Sequence, residues 1–328
     1  MKPINSNWFV RARLKSRHIP LLAALGDTGN LNRAAVGLGI SQPAISKLLK
    51  ELEDGLGVEL FERHARGVVP TLYGEAMIRH ARRMLNTLDS AYSEVDALRH
   101  GQQGHVRIGT ILTPCAELLP EVIRLAKQRF PALEITIRTG SSRDLLAILD
   151  DGELDFLVAR FSAGSHQDNL YFEPLAKEPL QICARAGLIE GPMSRAELNA
   201  ADWVLPPTGS VLRQEFDALF QRVGMRPPRK VVNAENLLMV TTLVEKDDML
   251  TVLPRDVLAH YARYGMLAEI EVDASIDADL NQGLMAYGII TKTPHQLSPA
   301  AVGVLDLLRT TAAGMGLGTK ESSSPVAE

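Results

Sequence analysis

Apolar and polar positions alternate along this chain in three successive ways. Residues 17 to about 70 carry apolar residues at the three- and four-residue spacing of short helices separated by tight turns. Residues 71–100 keep the helical spacing without interruption and are rich in polar side chains. From about residue 105, strand-like apolar runs alternate with helical runs, which predicts βαβ units with parallel strands. The expected fold class is α/β, preceded by a helical domain.

A second set of alternating strands and helices follows the first, so we expect two similar lobes rather than one large sheet. The apolar run at 283–292 and the helical run at 300–313 come last and fit the first lobe. The expected domains are an N-terminal extension at 1–16, a helical domain at 17–74, a long helix at 75–103, a first lobe at 104–178 and 280–313, a second lobe at 179–279, and a disordered Gly/Ser-rich tail at 314–328.

Residues 17–55 have the spacing of three short helices. Either Asn30 or Asn32 can cap the second helix, and Ser41 is a natural N-cap for the third, with Pro43 in its first turn. The positions of the third helix that should face a core are Ile45, Leu48, Leu49 and Leu52.

The third helix leaves polar side chains exposed in its first turns. A short helix, a tight turn and a capped helix with a polar start form the helix-turn-helix that enters the major groove of DNA. Glutamine can pair with adenine, and lysine can reach guanine or phosphate. The next segment predicts a β-wing whose arginines contact phosphate or the minor groove. The alternative is that Ser41 only caps the helix and the lysines are solvated surface. The candidate DNA-binding residues are Asn32, Ser41, Gln42, Pro43, Ser46, Lys47, Lys50, Arg63 and Arg66.

Six short motifs follow one another between residues 31 and 75. They are Ala34–Ala35, Ser41–Ser46 (SQPAIS), Leu52–Glu53, Leu56–Gly57, Leu60–Arg63 (LFER) and Thr71–Gly74 (TLYG). Together they resemble the winged helix-turn-helix of LysR-type transcriptional regulators, although Asn32 stands where that family commonly has Ser or Thr.

This resemblance implies an N-terminal winged helix-turn-helix, a long linker helix, and a two-lobed α/β effector domain similar to periplasmic binding proteins. It implies a sequence-specific DNA-binding regulator of transcription whose activity a small-molecule effector modulates allosterically from between the lobes. The implied partners are double-stranded promoter DNA, the effector and a second copy of the chain. Homotetramers are common in the family, and RNA polymerase is a further candidate partner.

Apolar residues in the long helix recur at alternating spacings of four and three residues. This period predicts a narrow seam that packs against a second copy as a coiled coil, along a rod of roughly 42 Å. The alternative is a helix that lies on the α/β part of its own chain, which usually needs a wider apolar stripe. The seam residues, expected to form the dimer interface, are Met77, Ala81, Met84, Leu88, Ala91, Val95 and Leu98.

The α/β part carries no GxSxG, HExxH, Walker loop or GxGxxG after a strand. Acidic residues cluster at the turn 150–155, and we interpret their carboxylates as solvated. No catalytic residue, metal ligand, cofactor or enzymatic activity is expected. The alternative from another class is a metabolite-binding or enzymatic α/β protein with a helical appendage.

Small polar side chains follow several predicted strands where helices begin. Helix N-termini at the carboxyl ends of parallel strands attract anions, so we expect an anionic effector. Thr113 is expected to cap the helix after the first strand of the α/β part. Cys115 lies in the same turn, but no second cysteine is near in sequence, which disfavours redox sensing. The candidate effector-binding residues are Thr110, Thr113, Ser141, Ser142, Thr208, Gly209, Ser210 and Asn233.

Charge is segregated along the chain, whose net charge is −4. Residues 1–100 carry 14 Lys and Arg against 10 Asp and Glu, whereas the remainder carries 21 against 29. A basic N-terminal part suits attraction to DNA phosphates. Because no uninterrupted apolar run of about 18 residues and no signal-peptide core occur, we expect a cytoplasmic protein without membrane contact.

Overall fold

The computed structural model describes residues 14–64, 67–100, 104–161, 170–292 and 297–317. Arg66, the side chain of Leu98, residues 1–13 of the predicted extension and residues 318–328 of the predicted tail lie outside the described residues. The chain divides into two compact units, Met1–Gly104 with Ala147–Leu154 and His105–Leu146 with Asp155–Glu328. Within the described ranges, no helix combines the length and the apolar character needed to cross a membrane.

The first unit has a small helical core followed by a hairpin and a long helix. Its helices are α1 (His18–Thr28), α2 (Leu31–Gly37), α3 (Gln42–Leu56) and α4 (Leu72–His100). Its antiparallel strands are β1 (Phe61–His64) and β2 (Gly67–Pro70). Ala34 and Ala35 are 1% and 3% exposed, and their small side chains let α2 pack closely in this core. Helix α3 ends where Gly57 takes a left-handed conformation.

The first lobe of the second unit is built on a five-stranded sheet. Its elements are β3 (His105–Thr110), α5 (Leu118–Arg129), β4 (Glu134–Thr139), α6 (Ser142–Asp150), β5 (Phe156–Arg160), β6 (Tyr171–Glu178), β12 (Leu284–Thr291) and α12 (Pro299–Gly314). The strand order is β4-β3-β5-β12-β6, and α6 from Ala147 onwards is grouped with the first unit. Helix α12 includes Gly314, the first residue of the predicted tail.

This sheet is mixed, whereas the sequence pattern predicts parallel strands. Strands β3, β4 and β5 are parallel, but β12 is antiparallel to both of its neighbours, β5 and β6. The difference arises because β12 comes back from the second lobe and enters the sheet in the opposite direction.

The second lobe contains a three-stranded antiparallel sheet and a parallel pair of strands. Its elements are β7 (Leu180–Arg185), α7 (Arg195–Ala200), β8 (Trp203–Leu205), α8 (Val211–Arg222), β9 (Val231–Asn233), α9 (Leu237–Lys246), β10 (Thr251–Pro254), α10 (Arg255–Ala262), β11 (Leu267–Glu269) and α11 (Ala274–Gln282). The antiparallel sheet has the order β10-β7-β11, and the parallel pair is β8 and β9. The core contains Trp203, Phe216 and Phe220, which are fully buried with ring centroids 4.7 to 5.9 Å apart.

The chain crosses between the lobes at two neighbouring points. The first crossing joins Glu178 to Leu180, and the second leads from Gln282 to Leu284, which pairs with Glu178. Strand β6 runs in the same direction as β5, so Glu178 lies at the sheet edge where β3, β4 and β5 end. In the second lobe, Pro254 at the end of β10 pairs with Leu180. Both lobes therefore present carboxyl ends of strands near the crossings.

Candidate DNA-binding surface and effector crevice

Helix α3 has one apolar face in the core and one polar face towards solvent. Its most buried side chains are Ile45, Leu49 and Leu52. The predicted DNA-binding residues that are exposed on this helix and its cap are Ser41, Gln42, Pro43, Lys47 and Lys50. Ser46 is half-buried and its hydroxyl accepts a hydrogen bond from Gln42 Nε2 at 3.1 Å. The first two turns of α3 therefore present a continuous polar surface.

The caps of α2 and α3 differ from each other. Asn30 caps α2, because its side-chain oxygen accepts the backbone N–H groups of Asn32 and Arg33 at 2.9 and 3.1 Å. Asn32 itself is exposed. Ser41 occupies the N-cap position of α3 with extended backbone angles, but its hydroxyl makes no capping hydrogen bond to the described part of that helix. The hydroxyl is accordingly not committed to capping.

Glu53, near the end of α3, attaches this helix to the wing formed by β1 and β2. Its Oε1 accepts the backbone N–H groups of Leu60 at 2.8 Å and Phe61 at 3.2 Å. Both of these residues are buried, at 0% and 4% exposure. Arg63 lies on β1 and is exposed. Glu53 therefore fixes the position of the wing that carries Arg63 relative to the recognition helix.

Replacing Glu53 by alanine is expected to reduce the free energy of unfolding of the first unit by about 1–3 kcal/mol, because buried N–H groups lose their acceptor. Glu53→Gln keeps an acceptor oxygen and should retain most of the stability. Urea unfolding followed by circular dichroism measures both variants. Equal losses for the two variants would contradict this role for the Glu53 oxygen.

Only the later part of the predicted seam on α4 is exposed. Ala81 is 2% exposed in the core of the first unit, and Met77 packs against the same core. The exposed seam residues are Met84, Leu88, Ala91 and Val95, of which Leu88 is 61% exposed. The early seam positions are therefore used within the chain, and the surface left for a partner helix begins at Met84.

The predicted effector residues of the first lobe lie at one sheet edge, but two of them are buried. The Thr110 hydroxyl donates to the carbonyl oxygen of Ile111 at 2.9 Å. Thr113 is 3% exposed and donates to Glu178 Oε1. The sequence predicts that Thr113 caps a helix, and this prediction is wrong. Thr113 lies in a short 3-10 helix, and α5 begins only at Leu118.

Ser141 and Ser142 lie after β4 at the same edge. The exposed Ser141 precedes α6, and its Oγ accepts the backbone N–H of Asp144 at 3.2 Å. Ser142 Oγ accepts the backbone N–H of Arg160, the last residue of β5, at 3.1 Å. The structure thus brings Thr110, Ser141 and Ser142 to the ends of three adjacent parallel strands.

The predicted residues of the second lobe surround the start of α8. Ser210 caps this helix by accepting the backbone N–H of Arg213 at 3.2 Å, and Thr208 and Gly209 before it are exposed. The exposed Asn233 accepts a hydrogen bond from Arg213 Nη1 at 3.0 Å. Residues separated by a whole helix in sequence therefore form one polar group at the ends of β8 and β9.

Sequence reasoning missed the charged residues at these edges, Arg160, Glu178 and Arg213. Arg160 forms an ion pair with Glu178, and Arg213 pairs with Asp217 at 2.9 Å. Burial lowers the pKa of Arg160 to about 10, which leaves it charged at neutral pH, and burial raises the pKa of the neighbouring Tyr287 to about 12. The one sequence feature that could have indicated such a residue is Arg160 itself, a charged residue directly after the apolar residues of β5.

The structure defines the surroundings of the Cys115 thiol and of the Asp155 carboxylate. Cys115 is half-buried and burial raises its pKa, which opposes formation of a reactive thiolate. The carboxylate of Asp155 is not simply solvated, because its Oδ2 accepts the backbone N–H of Arg107 at 2.7 Å.

A winged helix-turn-helix followed by a long helix and a two-lobed α/β unit defines a DNA-binding transcriptional regulator with a ligand-binding domain. The sequence matches the family descriptions "Bacterial regulatory helix-turn-helix protein, lysR family" over residues 16–75 and "LysR substrate binding domain" over residues 99–313. The chain belongs to the LysR family of transcriptional regulators.

Similar proteins cover nearly the whole chain. The HTH-type transcriptional regulator GbpR of Azospirillum brasilense is 37% identical over 93% of this chain and 88% of its own length. The HTH-type transcriptional regulator GalR of Pseudomonas putida is 30% identical over 90% of this chain and 73% of its own length. Among solved structures, the LysR family regulator CbnR has the same fold, with a TM-score of 0.64 and 22% identity over 91% of this chain and 99% of CbnR.

Proposed function

We propose that this regulator reads promoter DNA with the first two turns of α3 and holds the duplex backbone with its wing. The observation that carries the proposal is the exposed polar face of α3, which continues from Gln42 to Lys50 opposite the buried Ile45, Leu49 and Leu52. Gln42 and Lys47 have the hydrogen-bonding groups that recognise base edges, and Arg63 has the charge that binds phosphate. Because its target is promoter DNA, we infer that the protein acts in the cytoplasm, as a regulator and not as an enzyme.

The exposed seam on α4 supports a homodimer as the DNA-binding form. Leu88 and Val95 are 61% and 57% exposed on a helix surface, and such a row of apolar side chains favours burial against an identical helix. A dimer with two-fold symmetry would read two half-sites about one turn of DNA apart. Further association of two dimers would give the tetramer expected from the family.

The two lobes support control by a small anionic effector. Helix starts and polar residues lie at the carboxyl ends of strands in both lobes, which is where ligands bind in open α/β folds. An effector that binds better to one arrangement of the lobes shifts the population towards that arrangement. The shift would alter how the recognition helices of a dimer are spaced on DNA, and hence contact with RNA polymerase.

Gln42→Ala and Arg63→Ala should affect DNA binding in different ways. Gln42→Ala is expected to remove about 1–3 kcal/mol of discrimination at one base pair of each half-site. Arg63→Ala should weaken binding to all sequences about equally and reduce the salt dependence by about one counterion. Binding to a randomised operator library, read by sequencing at two salt concentrations, measures both effects.

Asp54→Ala, at the far end of the same helix, is the control and should leave the sequence preference unchanged, since Asp54 is exposed beyond the polar face. Indistinguishable sequence preferences for the Gln42 and Arg63 variants would rule out the proposed division between base reading and backbone contact.

A further inference from the structure

A buried ion pair lies at the point where the chain passes between the lobes. Glu178 is 2% exposed, and the side chain of its partner Arg160 is 13% exposed. A buried carboxylate loses its hydration, so it persists as an ion only with a good partner, and such a pair is weak support for stability in itself. Its presence at this position therefore needs another explanation.

The ion pair is tied to both crossings. Glu178 is the last residue of β6 and pairs in register with Leu284, the first residue of β12. Gly283 packs on the backbone of Glu178 so closely that a Cβ atom would lie 2.3 Å from the Glu178 carbonyl oxygen, and its φ of 66° also favours glycine. A movement of Glu178 would consequently be felt by both segments that join the lobes.

The same pair also contacts the predicted effector residues. Thr113 donates its hydroxyl to Glu178 Oε1, and the backbone N–H of Arg160 donates to Ser142 Oγ. Arg160 ends β5, at the sheet edge where β3 and β4 also end. Arg160 is thus linked to Ser142 directly and to Thr113 through Glu178.

The hydrogen bonds of the pair leave part of the guanidinium unused. The two carboxylate oxygens of Glu178 have different partners. Oε1 accepts a hydrogen bond from Thr113, and Oε2 faces Arg160 Nη2. Arg160 Nε is buried and has no hydrogen-bond partner within the described residues. An oxyanion that bound Nε and Nη2 together would make the bidentate contact that arginine forms with carboxylate and sulfate groups, which Glu178 does not make here.

We propose that Glu178 is an internal counter-ion of Arg160, and that an oxyanion group of the effector displaces it, releasing the two lobe crossings that Glu178 holds. The proposal rests on the effector half of the proposed function and names Arg160 as the residue that recognises the anion. The effector class is a small molecule with a carboxylate, sulfonate or sulfate group. Displacement exchanges one ion pair for another without a change in covalent bonds, and the Glu178 carboxylate that loses its partner must then reach water or take up a proton from it.

The test uses the full chain without DNA and inorganic sulfate as the probe. Thermal unfolding of the second unit is followed as sulfate replaces chloride at constant ionic strength, for wild type, Glu178→Gln and the double variant Arg160→Gln/Glu178→Gln. Glu178→Gln should reach its half-maximal stabilisation at a sulfate concentration roughly tenfold lower than wild type, because sulfate no longer competes with the Glu178 carboxylate for Arg160. A factor of this size is typical of coupled binding equilibria. The double variant should keep only the general stabilisation that sulfate gives to all proteins.

Glu173→Gln provides a matched control. Glu173 lies on the same strand as Glu178 and forms an exposed ion pair with Arg309 at 2.5 Å, so its neutralisation removes the same charge from β6 without freeing Arg160. This variant should respond to sulfate as wild type does. A response of Glu178→Gln no stronger than that of Glu173→Gln, or an equally strong response of the double variant, would overturn the proposal.

A second measurement needs no substitution, in case Glu178→Gln does not fold. Hydrogen exchange of wild type should become faster at residues 180–182 and 283–286 when sulfate is added, while exchange in β3 and β5 becomes slower. Uniform slowing over the whole unit would contradict the release of the crossings. None of these readouts involves DNA, so a negative result here leaves the base-reading test with Gln42 and Arg63 intact, and a failure of that test leaves the sulfate response unaffected.

Discussion

Replacing Leu88 by aspartate is expected to convert the dimer into monomers and to lower the affinity for an operator with two half-sites by roughly 10² to 10⁴, because the second half-site is then no longer bound intramolecularly. Leu88 is 61% exposed in the middle of the exposed seam of α4, and a charge there would be buried against the partner helix. Sedimentation velocity measures the oligomeric state, and fluorescence anisotropy with labelled operator measures the affinity.

Thr87→Asp is the control for this experiment. Thr87 is also exposed, but it lies about 100° further round the helix, off the seam. It introduces the same charge into the same turn of α4 and should leave both the dimer and the affinity nearly unchanged. If Leu88→Asp remains dimeric and binds the full operator with wild-type affinity, the seam is not the interface.

Trp203→Ala is expected to lower the free energy of unfolding of the second unit by about 3–5 kcal/mol. Trp203 is fully buried, packs on Phe216 and Phe220, and donates its indole N–H to the carbonyl oxygen of Leu198 at 3.0 Å. Its loss leaves a large cavity under β8, the strand that leads to the polar turn before α8. Scanning calorimetry should show the transition of the second unit at a lower temperature and an unchanged transition for the first unit.

Two further variants locate the origin of this loss. Trp203→Phe keeps an aromatic ring in the cluster and should destabilise the protein less than alanine does. Tyr264→Ala removes an aromatic side chain that is 70% exposed, and it should change the stability by no more than about 0.5 kcal/mol. A loss for Trp203→Ala as small as that for Tyr264→Ala would mean that the aromatic cluster does not hold the lobe together.

The helix-turn-helix was predictable because its signals are local in sequence. The order of Ala34–Ala35, the Ser41 cap, Pro43 and the apolar spacing of α3 specify a short helix and a recognition helix within 25 residues. The sequence pattern did not determine which of two asparagine side chains caps α2. In the sequence, Asn30 and Asn32 are both candidates to cap α2, and the structure selects Asn30 because Asn32 lies within the helix.

The placement of the candidate effector residues at strand ends was predictable, but the charged groups beside them were not. Turns that follow strands are visible in the sequence, which predicted that Ser141, Ser142 and Asn233 lie at the ends of strands. The charges at that edge depend on contacts between distant residues, such as Thr113 with Glu178 and Arg213 with Asn233. Periodicity does not reveal such pairs, so the sequence pattern did not single out Arg160 or Glu178.

The apolar spacing predicted for α4 is present along the helix, but the surface available to a partner helix is shorter than the spacing suggests. Met77 and Met84 obey the same spacing, yet one packs in the core of the first unit and the other is 44% exposed. The spacing describes which side chains share a face of α4, whereas the partner of each part of that face is decided by what the rest of the chain places beside it.

Because Met77 and Ala81 belong to the core of the DNA-reading unit, that unit has no hinge between itself and the 29-residue helix α4. The helix-turn-helix and α4 must therefore rotate as one rigid body. A helix of this length measures about 43 Å, so a tilt of only about 10° at one end displaces the other by about 7 Å. That displacement is comparable to the width of a DNA groove, and small changes in how two such helices cross would decide whether the second helix-turn-helix meets its half-site.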